Sequence, residues 1–77
     1  MKEDRLLKRI SLDEKIMLGK PVIKGTRLPV ELIVEKIAYG ATFDELKADY
    51  PFLTDDDIRA SILYAVRRLA HEKVYAA

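Results

Sequence analysis

Between Gly19 and Val30 the chain reads GKPVIKGTRLPV, and this block limits the fold more than any other stretch. It holds two of the three glycines and two of the three prolines in 77 residues, so no long helix or strand can run through it. Pro fixes φ and removes a backbone donor, while Gly admits the positive φ of tight reversals. Val22-Ile23 and Leu28 flank Lys24-Gly25, the pattern of a tight turn between two extended legs. Pro29 stands where a helix begins, its missing N–H not needed there. An extended, hairpin-like lead-in is therefore expected to hand the chain directly into helices.

Upstream, residues 1–7 read as a loosely attached N-terminus. Arg9 to Asp13 alternates apolar and polar residues, as a half-buried strand does, and its partner is either Val22-Ile23 or the Thr26–Leu28 leg. Glu14 to Leu18 is a turn or a single helical turn. Downstream the period changes. Val30, Ile33, Val34, Ile37 and Ala38 mark one face of a first helix over about 30–39, stopped by Gly40. Thr42 and Glu45 have capping-box spacing and open a second helix over about 43–49, which Pro51 ends. Thr54 caps a third helix over about 55–71, whose first turn carries Asp55, Asp56 and Asp57 against the positive end of the helix dipole. The resulting class is mainly α with an α+β margin: short N-terminal strands or a hairpin, then three helices, the last two spaced as a helix-turn-helix. Residues 1–77 form a single domain, a basic segment over 1–28 and a helical region over 29–77.

The third helix is apolar well beyond one stripe. Ile58, Ile62, Ala65 and Leu69 make a row toward the core, and Leu63, Val66 and Ala70 a second row that two small helices cannot cover. With 49% apolar residues and no Cys for disulfide or thiolate staples, a homodimer is the simplest cover, with Ile62, Leu63, Val66, Leu69 and Ala70 at its seam. No apolar run approaches the roughly 20 residues of a membrane span, and the charged opening MKEDRLLKRI has no signal-peptide core. A cytoplasmic location is the expectation.

Three motifs together carry a family resemblance: GKPVIKGTRLPV, then Tyr39 to Leu46 as YGATFDEL, then Tyr50 to Ala65 as YPFLTDDDIRASILYA. Over residues 9–66 the chain resembles the prokaryotic domain-of-unknown-function family 433. The resemblance implies a homeodomain-like, three-helix fold with a helix-turn-helix after short strands. Some members are described as VapB-type antitoxins, so it also implies DNA and a PIN-like ribonuclease toxin as partners.

The net charge of +1 hides segregation: residues 1–28 carry eight Lys/Arg against four acids, residues 29–57 two against eight, and residues 58–77 four against one. Lys20, Lys24, Thr26 and Arg27 surround a glycine turn that either captures an anion through N–H groups and charge or serves only as a turn. If the third helix reads DNA, Arg59, Ser61, Arg67 and Arg68 are its contacts, with the three Asp opposing phosphate at its leading end. The alternative footprint is the basic N-terminal segment, Lys2, Arg5, Lys8, Arg9 and Lys15 together with Lys20, Lys24 and Arg27. Tyr39, Phe43, Tyr50 and Phe52 are expected around the helix junctions as core, and His71 as a solvated helix end. There is no Cys, no Ser-His pair with an orienting acid and no nucleotide loop, so neither catalysis, cofactor nor metal is expected. The expected function is that of an antitoxin or transcriptional regulator binding DNA and a toxin. The alternative is a protein-interaction module that never binds DNA.

Overall fold

The glycines and prolines of residues 19–30 do what their chemistry demands. The computed structural model of the chain describes residues 2–70, with backbone only for residues 2–4. β1 (Ile10–Ser11) pairs antiparallel with β2 (Val22–Ile23), Ile10 opposite Ile23 and Ser11 opposite Val22. Val22-Ile23 is thus the partner of the first strand, and the 26–28 leg lies on the other side of β2. There the Ile23 N–H donates to the Leu28 carbonyl at 3.0 Å, and Val22 bridges to Pro29. Flanked on both sides, Val22 and Ile23 are buried. The reversal between the legs is closed by the Thr26 N–H donating to the Ile23 carbonyl at 3.0 Å. Gly25 takes the third position of this turn with φ +80°, as a type II turn requires.

Between β1 and β2 the chain makes a left-handed turn over Met17–Gly19, with φ of 50°, 57° and 82° at Met17, Leu18 and Gly19. Two of these residues carry side chains that ordinarily avoid this region, at a cost of roughly 1–2 kcal/mol each. Leu18 is 96% exposed, so the turn presents an apolar side chain at its tip.

The N-terminus departs from expectation. Residues Lys2–Leu7 form a helix, α1, closed by the Arg9 N–H donating to the Leu6 carbonyl at 2.9 Å. α1 lies against the last helix with Leu6 and Leu7 half-buried, so the described residues hold four α-helices and not three. A six-residue helix has no stability of its own, and packing is what holds it.

α2 (Val30–Ala38) follows directly on Pro29 and ends in a Schellman motif. Ala41 N–H donates to the Lys36 carbonyl and Gly40 N–H to the Ile37 carbonyl, both at 2.9 Å, with Gly40 at φ +99°. α3 (Phe43–Asp49) opens with the expected capping box of Thr42 and Glu45. Tyr50 leaves helical geometry ahead of Pro51. α4 (Asp55–Ala70) packs across α2 and α1. Position 71 lies outside the described residues, as does His71 with its expected role.

Ile23, Leu28, Ile33, Leu46, Leu53 and Ile58 form the core, with Ile10, Phe43, Tyr50 and Ile62 packed against it. Two placements differ from the sequence reading. Tyr39 is 84% exposed and Phe52 about half exposed, because the helix junctions they flank face solvent. Leu69 is 61% exposed, because the core-facing row on α4 runs out after Ile62 and Ala65, which are half-buried. Among the described residues no helix is long and apolar enough to cross a membrane.

Candidate nucleic-acid interface

The β1–β2 register decides which charges meet. Continuing it outward from the Ile10–Ile23 pair sets Arg9 opposite Lys24, and the Lys24 N–H donates to the Arg9 carbonyl at 2.8 Å. α1 ends just before, adding Arg5 and Lys8. Arg5, Lys8, Arg9 and Lys24 line one concavity of about 340 Å³ with Asp57. Arg5 and Arg9 also line a neighbouring concavity of about 450 Å³ with Leu6, Asp56 and Arg59. Basic residues that are 19 positions apart in sequence thus share one corner of the molecule.

The start of α4 supplies the counter-charges, and each Asp has a separate cation. Asp57 is only 7% exposed. Its Oδ2 accepts from the Thr54 N–H at 3.0 Å while its own N–H donates to Thr54 Oγ1 at 3.1 Å, a reciprocal cap. Its Oδ1 accepts from Arg9 Nη1 at 3.1 Å. Asp56 lies 3.2 Å from Arg59 Nη1 and 3.8 Å from Arg9 Nη2. Arg59 also sits over the Phe43 ring, 5.9 Å from its centroid. Asp55 Oδ1 is shielded from solvent and lies 2.8 Å from Lys47 Nζ, an ion pair at a poorer angle than an aligned hydrogen bond. After these pairings Arg5, Lys8 and Lys24 have no ion-pair partner among the described residues.

Lys47 and Asp55 perturb each other. The hydrogen-bonding contact and charge of Lys47 hold the Asp55 carboxyl below its ordinary 3.8, and those of Asp55 raise Lys47 above 10.5. A lowered folded-state carboxyl pKa stabilises the fold above the unfolded value and loses that contribution as pH falls through the folded one. For the raised lysine the contribution is present below 10.5 and is lost as pH rises through the folded value. Asp55→Asn should therefore lower the urea midpoint by a constant amount between roughly pH 5 and 9. The gap from the unmutated chain should begin to narrow below about pH 4 and close as pH falls through the folded value. A gap that does not narrow at all between about pH 5 and strong acid would refute the pair's contribution.

The other residues singled out in the sequence do not gather at one site. Thr26 is structural: its Oγ1 donates to the Ile23 carbonyl at 2.7 Å and accepts from the Leu28 N–H at 3.0 Å. With both bonds made inside the turn, the hydroxyl is not available to an anion. Arg27 is exposed on a shallow depression with Leu28, Leu32, Tyr50 and Phe52, which Lys24 does not line. Lys20 pairs with Glu31 at 2.7 Å and lines a groove between α2 and α4 that Arg68 shares. Arg67 and Arg68 are exposed near the far end of α4. Ser61 is fully buried and donates to the Asp57 carbonyl at 2.9 Å, so it makes no DNA contact. Of the cations expected around the glycine turn and on the last helix, Lys24 and Arg59 reach the basic corner, and Arg5, Lys8 and Arg9 of the alternative N-terminal footprint join them there.

Among the described residues the architecture is a two-stranded hairpin with four helices, a small α+β fold, and comparison shows the family to which the chain belongs. The model of the family described as proteins of unknown function, DUF433, matches residues 10–65, and the chain belongs to that family. A crystal structure of a DUF433 member protein from Anabaena variabilis is similar at 31% identity with a TM-score of 0.77. The match covers 87% of this chain and 66% of that one, just under two thirds of the relative's length. An uncharacterised protein from Archaeoglobus fulgidus is 60% identical over 25 residues, which make up 32% of this chain and 69% of the relative. Lys24, Asp57 and Arg59 fall within the matched residues, whereas Arg5, Lys8 and Arg9 precede them.

Proposed function

We propose that this protein is a DNA-binding regulator that works as a homodimer and holds DNA phosphates at the corner of Arg5, Lys8 and Lys24. The resemblance to VapB-type antitoxins adds a PIN-like toxin as a second partner in this reading. The observation that carries it is three cations with no ion-pair partner among the described residues around one concavity, beside a helix pair of helix-turn-helix spacing. The three Asp at the leading end of α4 weigh less against DNA than their sequence suggests, since Arg9, Arg59 and Lys47 each offset one. Contacts of this kind position a protein on the duplex and release counterions.

The test is fluorescence anisotropy on the upstream DNA of its own gene and on a shuffled control, across a salt series. Three phosphate contacts per chain, six per dimer, correspond to a slope of log K against log salt of about −5.4. Lys8→Ala and Lys24→Ala should each reduce that slope by about two without unfolding the protein. Unchanged slopes in both variants would refute the corner. Weak, equal binding to both DNAs would favour the protein-interaction module, for which the apolar groove between α2 and α4 is the supporting observation.

A further inference from the structure

We infer that two copies of this chain join across the groove between α2 and α4, with Glu35 of each copy facing Arg68 of the other. The inference rests on the homodimer reading above and gives it a surface. The groove encloses about 420 Å³, and its apolar floor includes Val34 from α2 with Tyr64 and Ala65 from α4. Four charged side chains rim it, and two of them are already paired: Lys20 lies 2.7 Å from Glu31. Glu35 on the α2 wall and Arg68 on the α4 wall have no ion-pair partner among the described residues.

This arrangement selects the occupant. A partner carrying one sign of charge would satisfy one wall and repel the other. A second copy related by a two-fold axis brings an arginine to each glutamate and a glutamate to each arginine, because in an isologous contact every pairing occurs twice. The apolar surface also continues past the groove. Leu69, one helical turn beyond Ala65, is 61% exposed, and Val66 beside it is 53% exposed. A copy seated on the groove reaches Leu69, whereas Val66, about 160° around α4 from Tyr64 and Arg68, stays outside the contact. The seam expected along α4 alone thus moves toward α2, with Leu69 at its margin and not at its centre.

Charge exchange tests the pairing without touching the core, since Glu35 and Arg68 are both exposed. Sedimentation equilibrium of the full chain, without DNA, should show a dimer. Glu35→Arg and Arg68→Glu each set like charges across the seam and should weaken it by at least about tenfold. The double variant Glu35→Arg/Arg68→Glu restores complementarity and should return the dissociation constant to within about threefold of the original. Circular dichroism confirms that each variant is folded. A double variant as weak as the single ones, single variants as tight as the original, or an original chain that is monomeric throughout would each overturn the inference. A dimer that behaves as expected while the anisotropy shows no DNA binding would leave this surface standing and remove the DNA reading alone.

Discussion

Ile58→Ala should remove a large share of this protein's stability. Ile58 has no exposed surface and sits among Ile23, Leu28, Ile33, Leu46 and Leu53, so its truncation opens a cavity where the sheet, α2 and α4 meet. Such a truncation removes about 2–5 kcal/mol. The whole stability of a 77-residue domain is on the order of 4–12 kcal/mol. Leu46→Ala, equally buried on α3, should behave alike. In thermal melts followed by circular dichroism each should lower Tm by more than about 10 °C. Val66→Ala, a deletion of similar chemistry on the open face of α4, should cost less than about 0.5 kcal/mol in the monomer. A shift of only a few degrees for Ile58→Ala would mean that the core is centred elsewhere.

The second large effect is expected at Asp57, through polar chemistry. Asp57→Ala removes an oxygen that accepts from the Thr54 N–H and another that accepts from Arg9, in a site with little access to water. Loss of a cap costs about 0.5–2 kcal/mol, and loss of a hydrogen bond to a charged group about 1.5–3. Because Arg9 is partly exposed and recovers solvation, the sum should fall near 2–3 kcal/mol in urea unfolding. A double-mutant cycle with Arg9→Ala separates the two parts: coupling of about 1 kcal/mol or more assigns the larger share to the Arg9 contact. No coupling would confine Asp57 to its cap. Beyond stability, Asp57→Ala frees Arg9 for the basic corner, so DNA affinity in the folded variant should rise while stability falls.

The helices were legible to the extent that their signals were local. The face of α2 follows from residues three and four apart, and the cap of α3 from Thr42 and Glu45. Both form as the spacing predicts. The features that sequence reading missed depend on contacts across the chain. α1 has only Leu6 and Leu7 to mark an inner face, and it exists because α4 is there to receive them. The turn at Met17–Gly19 holds Met and Leu in a left-handed backbone that only Gly19 advertises. Three consecutive carboxylates on α4 look alike in sequence, yet Asp57 alone turns inward as the reciprocal partner of Thr54. The basic corner was half visible. Charge segregation singled out residues 1–28, but only the strand register brings Lys24 to Arg9 and leaves Lys20 and Arg27 elsewhere. A tabulation of charge along the chain could not have separated them.

α4 carries the basic corner near its first turn and the α2-facing groove near its last, which makes the helix a lever. From Asp57 to Ala65 it rises about 12 Å, a rigid arm between joint and load. If copies meet at the groove, a change of about 20° in their crossing angle, within the usual scatter of helix packing, swings the corner about 4 Å. That is comparable with the rise of roughly 3.4 Å along the duplex axis per phosphate of one strand. If the corners hold DNA as proposed, any molecule that altered the joint, without approaching the basic residues, would shift them relative to the phosphates.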